Sequence, residues 1–245
     1  MRVFYAGDSG VDGPARYLLG ILKYIGAKVT HIPPGNKIQK IASRSYDLFI
    51  FSDFSYRDLS QAAEQQVTTQ VENGAGLLMV GGWGSFSGPF GGWKKSKLVK
   101  LLPVICQDKD DRTNFPGGAV FCQEVKGHPV LKGLSFSSPP AICGLNRVKL
   151  KTGTKQLLSL KSIQFHSQGN VSLSSKSLPL LVVQETRTFR SAAYSSDFAP
   201  HWCSGFVDWG TKTMKIKIQP GVEIQVGNAY VRLISQLLQW LANKI

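Results

Sequence analysis

The chemistry suggested by this chain starts at Gly81-Gly82-Trp83-Gly84-Ser85, directly after the apolar run at residues 77–80. Glycines leave backbone N–H groups with little steric cover, and such groups cradle a carboxylate, a phosphate or a developing oxyanion. The alternative is that the glycines only permit a tight turn from a strand into a helix. Trp83, with Trp93 and Phe86, would stack on a flat or sugar-like ligand. Ser85 supplies the nearest hydroxyl, but a serine nucleophile needs an aligned base.

Carboxylates close two other apolar runs. Asp8 follows residues 3–6 and Asp53 follows residues 46–52. Each would either meet a ligand hydroxyl or a cation, or fold back on its own backbone to shape a turn. Asp108, Asp110 and Asp111 form an acidic run in a basic protein. No regular calcium-loop spacing accompanies it, and pairing with Arg112 or a nearby lysine is the simpler expectation. Asn146 and Arg147 follow a Cys-Gly turn, and the sequence does not say which face they reach. His31, His128 and His166 lack metal-ligand spacing and receive no role. Cys106, Cys122, Cys143 and Cys203 are far apart and form no CxxC pair, so buried free thiols are expected, without a disulfide framework or a zinc site. No metal and no cofactor is indicated.

The elements that must position these residues alternate. Residues 3–6 read as a strand, Pro14 suits the first turn of a helix, and Tyr17, Leu18, Ile21, Leu22 and Ile25 follow at helical spacing until Gly26. Residues 27–32 and 46–52 are further strands, the latter apolar enough to be buried on both faces. Asp58 or Ser60 opens a helix to about Glu72, closed by Asn73-Gly74, and residues 77–80 form a fourth strand. This order predicts right-handed crossovers and a parallel sheet, with ligands where strand C-terminal ends meet loops. The loops after Ala6 and after Val80 therefore stand out. Residues 84–177 are richer in Gly, Pro, Ser and Lys, with strand candidates at 119–123, 148–150 and 156–160 and a flexible turn at 167–177. Strands return at 179–184 and 190–195, and an amphipathic helix is predicted over 226–242.

The chain has 245 residues, 42% of them hydrophobic and 18% charged, a globular composition. No apolar run approaches the roughly 20 residues needed to cross a bilayer, and the N-terminus lacks the pattern of a signal peptide. A cytoplasmic protein without membrane contact is expected. The net charge of +14 favours anionic partners. Its lysines fall in separate patches without a nucleic-acid-binding motif, so a solvated basic surface is the plainer reading.

The segments LLMVGGWGSFSG, LLPV, DDR at 110–112, HPVLKGL, GLNRV, LPLLVVQE and SAAYSSDFAPHW, in this order, resemble bacterial cytoplasmic proteins of the class I glutamine amidotransferase-like superfamily. The resemblance covers most of the chain. It implies an α/β, flavodoxin-like, three-layer αβα fold with a mostly parallel central sheet. The domain would span 1–245, with additional β-structure embedded at about 84–177, flanking the sheet. In true class I amidotransferases a strand runs into a GxCxG turn, with the nucleophilic cysteine at the start of a helix. Aligned on residues 80–84, the cysteine position falls on Gly82, or on Trp83 if the register slips by one. Neither is a nucleophile. The superfamily's histidine follows a late strand and precedes Pro-Glu. Here the matching stretch is 195–202, where His201 lies a few residues late and lacks Pro-Glu. His201 would act there as acid, base or ligand group beside Asp197, or His201 and Trp202 only brace the loop.

The leading expectation is an amidotransferase-like domain without glutaminase chemistry. It would bind a small polar or anionic ligand, or a protein partner, through Asp8, Gly81, Gly82, Trp83, Ser85, Asp197, His201 and Trp202. Two alternatives stand beside it. One is a hydrolase or isomerase of different chemistry using His201 and Asp197. The other is a nucleic-acid-associated protein acting through its basic surface. Self-association is open.

Overall fold

The computed structural model describes residues 1–42 and 45–245. Strand β1 (Arg2–Gly7) places Val3 and Tyr5 in one apolar core and Phe4 and Ala6 in the other, the alternation of a strand covered on both faces. Helix α1 (Ala15–Tyr24) starts after Pro14, whose φ of −57° is already helical. It stops where the Gly26 N–H reaches Lys23 O and the Ala27 N–H reaches Leu22 O, both at 2.9 Å. Strand β2 (Lys28–Ile32) and the fully buried β3 (Leu48–Ser52) follow. Helix α2 (Gln61–Glu72) is capped by Ser60, whose hydroxyl accepts from the Ala63 N–H at 3.1 Å. Asp58 belongs instead to a short 3₁₀ turn. Strand β4 (Gly76–Val80) completes this half.

The middle of the chain supplies β5 (Val104–Ile105), β6 (Arg112–Gln123), β7 (Ala141–Asn146), β8 (Lys149–Leu150), β9 (Lys155–Phe165) and β10 (Val171–Leu173). After it come β11 (Leu178–Glu185), β12 (Arg190–Tyr194), α3 (Pro200–Val207), β13 (Thr213–Gln219), β14 (Val222–Gly227) and α4 (Asn228–Leu241).

The fold is α/β, built on a large central sheet of order β2-β1-β3-β4-β12-β11-β9-β6-β7. The strands from β2 to β12 in that order run parallel and form the site-bearing part. The added β-structure extends the same sheet antiparallel through β11, β9, β6 and β7, so it continues the sheet rather than flanking it. Residues 167–177, expected as a turn, contain β10, because Val171 and Leu173 pair with Phe165 and Ile163 on β9.

Helices α1 and α4 cover one face of the parallel part, with Leu18, Ile21, Ile234 and Leu238 buried there. Helix α2 covers the other with Ala63, Val67 and Val71. Each large aliphatic or aromatic side chain buried this way contributes roughly 1.5–3 kcal/mol. The expected face of α4, from Val231 through Leu241, is buried. The helix begins later than predicted because Val226 pairs with Met214 in the β13–β14 hairpin. That hairpin has its own sequence signal, an alternation of exposed Lys215 and Lys217 with buried Ile216, then a turn at Pro220-Gly221.

Candidate functional site

The parallel strands deliver four loops to one edge of the sheet: those after β1, β3, β4 and β12. They enclose a cleft of about 530 Å³. Asp8, Asp53, Asp58 and Asp197 line it, with Gly82, Trp83, Gly84, Phe90, His201 and Trp202.

Asp8 and Asp53 both hold left-handed backbone, at φ 45° and 49°, a conformation that Asp tolerates better than most residues and that recurs at functional sites. The Tyr5 hydroxyl donates to Asp8 Oδ2 at 2.5 Å. Burial pushes the Asp8 carboxyl up to about 7, against the pull of that hydroxyl and helped by the charge of Asp53. Asp197 sits just before α3, where its Oδ1 accepts from the Ala199 N–H at 2.9 Å. Burial, then the charge of Asp8, holds its carboxyl well above the usual carboxylate range.

The turn after β4 is built by tertiary contacts. The Gly81 N–H donates to Tyr194 O at 2.8 Å and to Ser196 O at 2.9 Å. Asn146, fully buried, accepts from the Gly82 N–H at 2.8 Å and donates through Nδ2 to Gly82 O at 3.1 Å and to Asp111 Oδ1 at 2.7 Å. Asp111 also accepts from the Ser87 N–H at 2.8 Å, and burial pushes its carboxyl up to about 6. The acidic run therefore divides. Asp111 props the turn, Asp110 clamps Arg112, and Asp108 pairs with Lys94.

The remaining donors of the turn face Asp53. The Gly84 N–H donates to Asp53 Oδ1 at 2.5 Å, and the neighbouring Trp83 N–H also favours the charged form of that carboxyl. Burial raises the Asp53 carboxyl above its ordinary value, and these N–H groups with the charge of His201 pull it back. Gly82, at φ 151°, has no room for a side chain. A Cβ there would lie 2.6 Å from Asp53 Oδ1. No helix follows the turn: the chain turns repeatedly through residues 83–92, with the Phe90 N–H on Trp83 O at 3.0 Å.

Of the residues expected to bind, Asp8, Gly82, Trp83, Asp197, His201 and Trp202 come together at the cleft. Gly81 and Ser85 stand behind its wall. Ser85 is fully buried, donating to Val80 O at 2.5 Å and accepting from the Asp53 N–H at 3.0 Å. Its hydroxyl therefore braces the turn. Trp93 and Phe86, expected as stacking groups, are core residues, and the Trp93 indole donates to Phe54 O at 2.7 Å and Gly84 O at 3.0 Å. The exposed aromatic partner of Trp83 is Phe90, with ring centroids 6.3 Å apart and planes at 25°. Arg112 lies over Trp83 at 4.2 Å. Sequence reading missed Phe90, Asp58 and Arg112 as site residues. Phe90 carried a weak signal, as an aromatic flanked by Pro89 and Gly91 in the loop already singled out.

A second hollow of about 440 Å³ shares Trp83, His201 and Trp202 with the cleft and adds Arg112 and Cys143. All four cysteines are free. Cys106 and Cys203 are buried as expected, and burial pushes both thiols up, Cys106 to about 12. Cys143 is exposed, contrary to expectation, because it lies on the outermost strand β7. Among the described residues no group of three or more His, Cys, Asp or Glu is placed to hold a metal ion. No helix among them is long and apolar enough to cross a membrane.

A family model described as a putative glutamine amidotransferase (GATase1_like) matches residues 38–218. The chain belongs to this amidotransferase-like family. A cytoplasmic protein of Salmonella typhimurium has the same fold at 24% identity and a TM-score of 0.75, with 98% of this chain and 99% of that chain covered. A second, from Salmonella typhimurium LT2, gives 22% identity and a TM-score of 0.71 over the same shares. A putative ThuA-like protein of Bacteroides uniformis is more distant, at 14% identity and a TM-score of 0.56, covering 98% of this chain and 90% of that one. At these identities the likeness is one of fold. No curated protein matches. In this member of the amidotransferase-like family, the turn after β4 carries Gly82 and Trp83, and Asp53 fills the space beside Gly82.

Proposed function

We propose that this chain binds a small, uncharged, polyhydroxylated ligand in the strand-end cleft and does not hydrolyse glutamine. The observation that carries the reading is the lining of the cleft. Four Asp side chains surround it, and of the described lining residues only His201 can carry positive charge. Carboxylates accept hydrogen bonds from neighbouring hydroxyls, and carboxyls held neutral by burial also donate them. Trp83 and Phe90, 43% and 58% exposed, offer aromatic faces to the C–H side of such a ligand. An anion would meet like charge, which costs on the order of 1 kcal/mol per neighbour at 4 Å even in water. Of the polar and anionic ligands expected from sequence, this reading keeps the polar one. The cytoplasmic location expected from sequence is kept beside it, supported by the Salmonella proteins of the same fold that are described as cytoplasmic.

Calorimetric titration with neutral sugars and polyols, each beside its carboxylate analogue, tests it. Binding of a neutral member, lost in Trp83→Ala and weakened in Asp197→Asn, supports the reading. Absence of binding across the neutral set sinks it and leaves a protein-binding scaffold as the better account.

A second reading, a hydrolase or isomerase using His201 and Asp197, is favoured by the electrostatic reach of His201 to Asp53, which puts an acid and a base in one cleft. Turnover that vanishes in His201→Ala while binding persists would establish it. A nucleic-acid role rests on the +14 charge alone, and failure to bind at low salt would remove it.

A further inference from the structure

The turn after β4 has the build of an anion site, and a side chain of the same molecule sits in it. The Gly81 and Gly82 N–H groups are taken by Tyr194 O, Ser196 O and Asn146 Oδ1. The Gly84 N–H donates instead to the Asp53 carboxylate at 2.5 Å, and the Trp83 N–H beside it favours the charged form of that group. A backbone donor in a glycine-rich turn, held on a carboxylate, is an arrangement that would receive the acid group of a ligand.

Asp53 is fitted to this place from its own side. Its left-handed backbone is held by its N–H on Ser85 Oγ, and the Ser85 hydroxyl donates in turn to Val80 O at the end of β4. The loop after β3 is thereby tied to the strand that carries the turn. Gly82 completes the fit, since a Cβ at that position would collide with Asp53 Oδ1, Cβ and Cγ, all within 2.8 Å. Glycine at 82 and aspartate at 53 depend on each other. Either change alone disturbs the other residue's surroundings.

We propose that Asp53 is a built-in occupant of a carboxylate-binding turn, closing the Gly84 N–H to anionic ligands and making Asp53 the residue that sets the cleft's preference for neutral ones. The preference for neutral ligands rests on the function proposed above. The occupied anion site does not.

The test is Asp53→Gly, which accepts the left-handed backbone and keeps the N–H for Ser85 while withdrawing the carboxylate. Asp53→Asn is the control, because its amide oxygen can stay on the same donors. Acetate is titrated into isotopically labelled protein while the Trp83 and Gly84 amide resonances are followed. In Asp53→Gly, acetate should shift both resonances with a dissociation constant at least about tenfold below that of wild type and Asp53→Asn, the worth of one charge-assisted hydrogen bond. Asp53→Ser, which also removes the carboxylate, replaces the glycine variant if that one does not fold. A folded variant whose amides ignore acetate overturns the proposal, as does wild-type protein that binds acetate equally well. In a parallel arm, the variant should shift preference from glucose toward glucuronate. If neither sugar binds any form of the protein, the neutral-ligand reading falls, and the acetate arm still decides the role of Asp53.

Discussion

Asn146 holds Gly82 by both backbone groups, accepting from its N–H at 2.8 Å and donating to its carbonyl at 3.1 Å, although 64 positions separate them. The last residue of β7 thus sets the geometry of the turn after β4. Asn146→Ala would leave the Gly82 N–H and the Asp111 carboxylate buried without this partner. We expect a loss of about 2–4 kcal/mol in denaturant unfolding. A loss below about 1 kcal/mol would mean that water replaces the amide and that the turn does not depend on it.

The pH dependence of stability follows from Asp8. Its carboxyl is pushed up to about 7 in the folded protein from 3.8 in an unfolded chain. Between those values the folded state holds a proton that the unfolded state has released, so this group's contribution falls as pH rises from about 4 to about 7 and is level above. Asp111, pushed up to about 6, acts in the same sense. Asp8→Asn should match wild type near pH 4 and exceed it at pH 8, by up to roughly 4 kcal/mol. Urea unfolding of both proteins at the two pH values checks this, and a difference that does not change with pH would refute it.

Placing a cysteine in the turn should fail. In Gly82→Cys the new Cβ meets Asp53 Oδ1 at 2.6 Å on a backbone at φ 151°. The expected cost is roughly 2–4 kcal/mol, with no glutaminase activity gained. The double variant with Asp53→Gly should recover part of that loss. Strict additivity in the double-mutant cycle would show that the two side chains do not compete for the same space.

Two tryptophans near the turn should behave in opposite ways. Trp93 is fully buried with its indole bonded to two carbonyls, and Trp93→Ala should cost about 3–5 kcal/mol. Trp83 is 43% exposed, and Trp83→Ala should cost less than about 1 kcal/mol while removing ligand binding. Thermal unfolding of both variants separates structural from binding roles. A Trp83 variant as unstable as the Trp93 one would make Trp83 a structural residue.

The order of strands and helices up to Val80 was readable from residue pattern. Continuous apolar runs became β1, β3 and β4, and the 3.6-residue spacing of Leu18, Ile21 and Leu22 became the buried face of α1. The absence of cysteine from residues 80–84 was equally plain, because it is a fact of composition at one place. Strand ends were also readable as the edge that carries the candidate cleft, since the loops of parallel strands gather there. In the middle of the chain the pattern was weaker. Strand β7 alternates less cleanly, and the strands of this region owe their place to neighbours remote in sequence.

The sequence by itself determined that this is an α/β protein with its candidate site at the strand ends and with no cysteine in the turn at residues 80–84. Those features depend on local periodicity and on residue identity, which a single chain displays directly. Tertiary structure alone decided that Asp53 accepts from the Gly84 N–H of the turn, that Asn146 and Asp111 hold that turn from behind, and that Trp83 faces solvent while Trp93 faces the core. Hydrogen bonds between a side chain and a distant backbone group leave no periodic trace. Hydrophobicity alone cannot tell two tryptophans ten residues apart which of them the fold will cover.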